Sequence, residues 1–85
     1  MKNFTYVLTD ENGIHARPAG ILVKEASKFS STINVEKGEK KADAKRLFSL
    51  MSLAAKKGEE LSFSIEGDDE NDAIEAIQKF LKENL

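Results

Sequence analysis

Residues 60–66 read Glu-Leu-Ser-Phe-Ser-Ile-Glu, with Leu61, Phe63 and Ile65 set against Glu60, Ser62, Ser64 and Glu66. A period of two sends successive side chains to opposite faces of a strand, so this segment has one dry face and one wet face. The alternation recurs in Lys2–Leu8, where Phe4, Tyr6 and Leu8 share a face broken only by Val7, and in Ser31–Glu36, where Ile33 and Val35 do. A sheet buried on both faces needs nearly continuous apolar strands, and this chain has none. Its sheet is therefore expected to be antiparallel, packed by helices on one side and open to water on the other.

Between these strands the apolar period lengthens. After the turn cluster Asp10-Glu11-Asn12-Gly13, residues Ala19, Leu22, Val23 and Ala26 fall at i, i+3, i+4 and i+7 and predict a helix from about Ala16 to Ser27, with Phe29 anchoring its exit. Lys37-Gly38-Glu39 predicts a hairpin-like turn into a short polar strand, Lys40 to Asp43. A second helix is expected from about Lys45 to Ala55, with Gly58 as its stop. The last helix follows the acidic capping residues Asp68-Asp69-Glu70, with Ala73, Ile77, Phe80 and Leu81 inward and Lys79 and Lys82 near its negative end. The order is β-α-β-β-α-β-α, an α+β fold, and without repeats or linkers residues 1–85 are expected to form a single domain.

Composition narrows the function. Eighty-five residues, 40% of them hydrophobic, make one small core and leave little room for a buried substrate cavity. The absence of cysteine removes disulfides and thiolate metal sites, and suits a cytoplasmic location. Thirteen basic against 15 acidic residues give a net charge of −2, so no general attraction to nucleic acid or anionic membrane is expected. No apolar run is long enough for a signal peptide or a membrane span. The run Asp68 to Asp72 lacks the alternating ligand spacing of a calcium loop, and the glycines form no phosphate-binding loop. Neither a metal nor a cofactor is expected.

One stretch stands apart. Gly13-Ile14-His15-Ala16-Arg17-Pro18-Ala19 holds the only histidine and the only proline. Proline fits inside a helix only in its first turn, which puts His15 at or beside the N-cap. The backbone N–H groups of Ala16 and Arg17 then lack intrahelical partners and present positive partial charge. A neutral imidazole is a nucleophile, and a phosphoryl group placed on it would meet those N–H donors and the guanidinium fork of Arg17. A lone histidine is most often a bland surface residue, and Arg17 read alone is a solvated first-turn residue. Arginine is nevertheless the wrong sign for a helix N-terminus, a misfit that a bound anion resolves.

The second predicted helix is apolar on two sides. Leu50 and Leu53 share the core side, while Leu47, Phe48 and Met51 share another, rimmed by Lys45, Arg46 and Lys56. A small domain cannot bury both, so the second side predicts a docking patch for another protein, which Ile21 on the first helix extends. The alternative is a second helix more deeply buried than its wheel suggests.

The seven-residue motif at this distance from the N-terminus, together with Ala44-Lys45-Arg46-Leu47-Phe48-Ser49-Leu50-Met51-Ser52-Leu53, resembles the HPr family. These are the histidine-containing phosphocarriers of the bacterial phosphoenolpyruvate-dependent sugar phosphotransferase system. The resemblance covers essentially the whole chain. It implies an open-faced sandwich with sheet order 1-4-2-3 and three helices on one face. It also implies that His15 accepts a phosphoryl group from enzyme I and passes it to the IIA domains of sugar permeases. Arg17 would assist, and partners would dock on the first helix and the Leu47, Phe48, Met51 region. The protein would then be a monomeric carrier and not an enzyme, since partners supply the rest of the catalytic site. Many members carry a regulatory serine just before the apolar pair of the second helix, where this chain has Arg46. The serine-linked branch of regulation is therefore not expected here. A regulatory binding module of the same fold, controlled by the phosphorylation state of His15, is the competing reading. A ferredoxin-like ligand-binding domain shares the outline but gives no reason for the His-Ala-Arg-Pro stretch.

Overall fold

The computed structural model describes residues 1–85. Its elements are β1 (Lys2–Val7), α1 (Ala16–Ala26), β2 (Thr32–Lys37), β3 (Lys40–Asp43), α2 (Leu47–Met51), β4 (Glu60–Glu66) and α3 (Glu70–Asn84). The strands form one antiparallel sheet in the order β1-β4-β2-β3. The registers explain its two faces. Phe4, Phe63, Val35 and Ala42 lie in one row across all four strands, and Phe63, Val35 and Ala42 are fully buried. The neighbouring row, Thr5, Ser62, Glu36 and Lys41, is exposed. The expected α+β open-faced sandwich is therefore the observed one.

The helices close the dry face. Ala19, Leu22 and Ala26 of α1, Leu50 of α2, and Ala73, Ile77, Phe80 and Leu81 of α3 join the sheet residues in one cluster of 20 buried apolar side chains, and Pro18 is buried as well. Phe29 packs against this cluster, as its expected anchoring role requires. In a domain this small each buried aliphatic side chain supplies roughly 1.5–3 kcal/mol, a large share of a marginal total.

The second helix differs from expectation. It spans Leu47–Met51, not Lys45 to about Ala55. At its start the amides of Lys45 and Arg46 turn back to the side chain and carbonyl of Asp43, so the chain is still in a turn there. At its end Leu53 and Ala54 donate to Leu50 and Met51, three residues back, and Ala54 enters the left-handed region with φ 51°. That conformation usually falls to glycine, so no residue type in the sequence marked the stop.

Asp69 also departs from its expected role. It precedes α3, but its carboxylate caps no amide of its own helix. It reaches across to the α1–β2 connection and accepts from the Ser30 and Ser31 amides at 2.8 and 2.9 Å and from the Ser31 hydroxyl. The Ser31 hydroxyl first, then the amides, hold this carboxyl at about 2, below its ordinary 3.8. The unfolded chain takes up this proton more readily, so the contact stabilises the fold above the ordinary value and is lost as pH falls from there towards the lowered one. The gap in urea midpoint between the native chain and Asp69→Asn is expected to narrow from about pH 6 to about pH 3. A gap that stays constant over that range would refute the role.

Candidate functional site

Pro18 sets the register of the site. In α1 it is the third residue, inside the first turn where its missing N–H is harmless. Ala19 is the first residue whose amide finds an acceptor in the helix, the His15 carbonyl at 3.0 Å. The Ala16 and Arg17 amides donate to no group in the protein. His15 is the N-cap residue, extended at φ −117° and ψ 178°, and its side chain makes no capping bond. A serine or aspartate here would fold an oxygen back onto these amides, whereas histidine leaves them free.

The surroundings of His15 are polar and open. The ring is half-buried at the edge of a depression of about 360 Å³ lined also by Asp10, Asn12, Arg17, Pro18, Ile21 and Asn84. The Arg17 guanidinium forms no ion pair or hydrogen bond within the chain, and the first turn of α1 contains no acid. The imidazole of His15 and the unpaired Arg17 thus line a common hollow, next to two unpaired amides at the start of α1. Such an arrangement can hold an anion attached to the ring.

The loop carrying His15 is held from both sides. Asp10 closes its turn, accepting from the Asn12 amide at 2.8 Å and the Gly13 amide at 3.0 Å. From below, the Ala55 carbonyl accepts the Ile14 amide at 3.1 Å. The last residue, Leu85, is buried, and its carbonyl accepts from the Thr9 amide and hydroxyl at 2.7 and 2.8 Å. The end of α3 is thereby fastened beside the site. From the sequence Asp10 and Asn12 read only as turn residues, and Asn84 carries no site signal at all. Asn84 lies too far along the chain for any local pattern to reveal it.

The apolar residues expected on the partner side are at the surface. Phe48 is 86% exposed, and Leu47 and Met51 are 36% and 37% exposed, while Leu50 and Leu53 are buried. Arg46 precedes them with an exposed side chain, only loosely paired with Asp43 at 3.9 Å. Lys56 is also exposed. Lys45 is placed differently. It is half-buried, and its ammonium donates to the Phe29 carbonyl at 2.7 Å, bracing the exit of α1. Ile21 is exposed, but the residues that share its hollows come from the His15 loop, α1 and α3, and none comes from α2. No group of three potential metal-binding side chains exists, and no helix is long and apolar enough to cross a membrane.

Comparison with known proteins agrees with this geometry. Residues 2–83 match the family described as the PTS HPr component phosphorylation site. The phosphocarrier protein HPr of Mycoplasma capricolum is 43% identical over 79 residues, covering 93% of this chain and 89% of its own length. A solved structure of a mycoplasma histidine-containing phosphocarrier protein superposes with a TM-score of 0.94 at 40% identity, covering 96% of this chain and 93% of that one. The Bacillus subtilis catabolite-repression protein Crh, crystallised as a swapped dimer, superposes at 0.78 with 36% identity, covering 94% and 92%. A match of sequence and fold over nearly the entire length makes this chain a member of the HPr family of phosphocarrier proteins of the phosphotransferase system, which carry a phosphoryl group and are not enzymes.

Proposed function

We propose that His15 accepts a phosphoryl group from phosphorylated enzyme I and passes it to IIA domains of sugar permeases, with residues 1–85 acting as one monomeric, cytoplasmic carrier domain. The observation that carries this reading is the pairing of an uncommitted imidazole with the two unpaired amides of Ala16 and Arg17. The lone pair of a neutral ring nitrogen forms the P–N bond as the bond between phosphorus and the donor breaks. The group then moves on when an acceptor on the next partner attacks the same phosphorus. Between these steps the amides and Arg17 bear the phosphoryl charge. They hold it weakly enough, at an open surface, for onward transfer.

Leu47, Phe48 and Met51, with Arg46 and Lys56 at their rim, form the docking surface in this reading, and Ile21 borders His15 on the α3 side. Lys45 contributes by fixing the approach to α2. With arginine at position 46, no hydroxyl is available there for a serine kinase. The similarity to Crh, a catabolite-repression protein, supports a second reading, in which the chain serves a regulatory partner outside transport.

The test is phosphorylation by phosphoenolpyruvate and enzyme I, followed by addition of a IIA domain. Rapid loss of the adduct to the IIA domain is the expected result, and a persistent adduct would favour the regulatory reading. In the same assay Phe48→Asp is expected to lower kcat/KM for transfer from enzyme I roughly tenfold or more, as loss of a central aromatic anchor does. Its circular dichroism and melting temperature should match the native protein, because the ring is not part of the core. Unchanged transfer kinetics would remove the docking role.

A further inference from the structure

His15 has no hydrogen bond to orient its ring, so its place depends on the backbone of Gly13 and Ile14. That backbone is held at two points: the Gly13 amide donates to the Asp10 carbonyl within the turn, and the Ile14 amide donates to the Ala55 carbonyl across to the next segment. Ala55, itself buried, lies in the irregular connection between α2 and β4. It is preceded by Ala54, the only non-glycine residue with positive φ. A left-handed alanine persists only where its surroundings hold it.

Besides the burial of Leu53 and Ala55 on either side, two side chains hold it. The Lys37 ammonium, on a side chain 19% exposed at the end of β2, donates to the Ala54 carbonyl at 3.3 Å and pairs with the Glu59 carboxylate at 3.4 Å. Glu59 Oε1 accepts the Lys56 amide at 2.7 Å. Ala54 and Lys56, on either side of Ala55, are thus both fastened, one by each member of the same ion pair. The Lys56 amide foremost, with Lys37, keeps the Glu59 carboxyl below its ordinary range, as expected if it stays charged in this position.

We propose that Lys37 and Glu59 are positioning residues for His15: an ionic strap that sets the Ala55 carbonyl where the Ile14 amide can rest on it. The inference rests on His15 being the phosphoryl acceptor, but the strap has a readout of its own.

The experiment compares the full-length native chain with Lys37→Met, Glu59→Gln and Glu59→Ala by NMR and by phosphoryl transfer from enzyme I. Gln keeps an oxygen for the Lys56 amide and removes only the ion pair, whereas Ala removes both. In Glu59→Ala the Ile14 and Lys56 amides are expected to exchange about tenfold faster, while Phe63 in β4 keeps its native rate, since local opening need not involve the sheet. The His15 ring resonances should shift, and transfer should slow about threefold, with Glu59→Gln intermediate. Equal acceleration at Phe63 would make the pair merely a stability element and overturn the proposal. Native Ile14 exchange and unshifted His15 resonances in all three variants would do the same. If the native chain accepts no phosphoryl group, the transport reading fails while the exchange data still decide whether the strap holds the loop.

Discussion

Incubated with phosphoenolpyruvate and enzyme I, the native chain is expected to gain the mass of a single phosphoryl group, and His15→Ala to gain none. His15 is the only histidine and cysteine is absent, so no second nitrogen or sulfur acceptor of this kind exists. The adduct should be lost in mild acid, as a P–N bond is, whereas a serine ester would survive. The variant should fold normally. The imidazole is half-buried and makes no capping bond, so its removal is expected to cost about 0.5 kcal/mol or less. Loss of the adduct therefore reports the acceptor and not unfolding. Intact-protein mass spectrometry with a thermal melt checks both halves, and an acid-labile adduct on His15→Ala would move the site elsewhere.

The parts of this molecule that were legible in the sequence share a cause: each is written in residues close together along the chain. Alternation in Glu60–Glu66 gave β4 to the residue, because a strand with one wet face repeats every two positions. Pro18 located the start of α1 and hence the N-cap place of His15. The features that escaped notice join distant residues. Lys37 reads as part of a turn, Glu59 carries no signal of its own, and their 22-residue separation hides the pair. Asp69 reads as a cap for α3, yet its acceptor capacity serves Ser30 and Ser31 some 39 positions earlier. The length of α2 was hidden differently. Residues 44–56 contain neither glycine nor proline, and the chain ends the helix by forcing Ala54 into a conformation that alanine rarely takes.

This last point bears on how the site and the docking surface are joined. Phe48 and Met51 lie on α2, and the chain leaving α2 passes through Ala54 to the carbonyl that supports Ile14. In the proposed function, partner contact and phosphoryl acceptance would thus be served by two ends of one short segment. Ala55 lies beyond the end of α2, and its carbonyl is taken by the Ile14 amide.

Gly13→Ala should damage the fold and the phosphoryl site together. Gly13 has φ +63°, and a Cβ there would lie 2.2 Å from the Ala55 carbonyl oxygen and 2.8 Å from Lys56 Cα. Both are backbone atoms, so no side chain can rotate out of the way. Left-handed backbone in alanine costs about 1–2 kcal/mol and overpacking a further 1–3, giving a loss of about 3 kcal/mol. For a domain of this size that lowers the melting temperature by roughly 15 °C. Relief of the clash requires the loop to lift, which breaks the bond from the Ile14 amide to Ala55 and carries His15 away from its amides. Transfer from enzyme I is therefore expected to fall even at temperatures where the variant remains folded. Gly38→Ala separates the two causes. Gly38 has a nearly equal φ of +59° but no atom within 4 Å of its would-be Cβ, so it should lose only the conformational part, about 1 kcal/mol, and keep full transfer activity. Equal melting temperatures and transfer rates in the two variants would mean that the close approach of Gly13 to Ala55 does not hold the phosphoryl site in place.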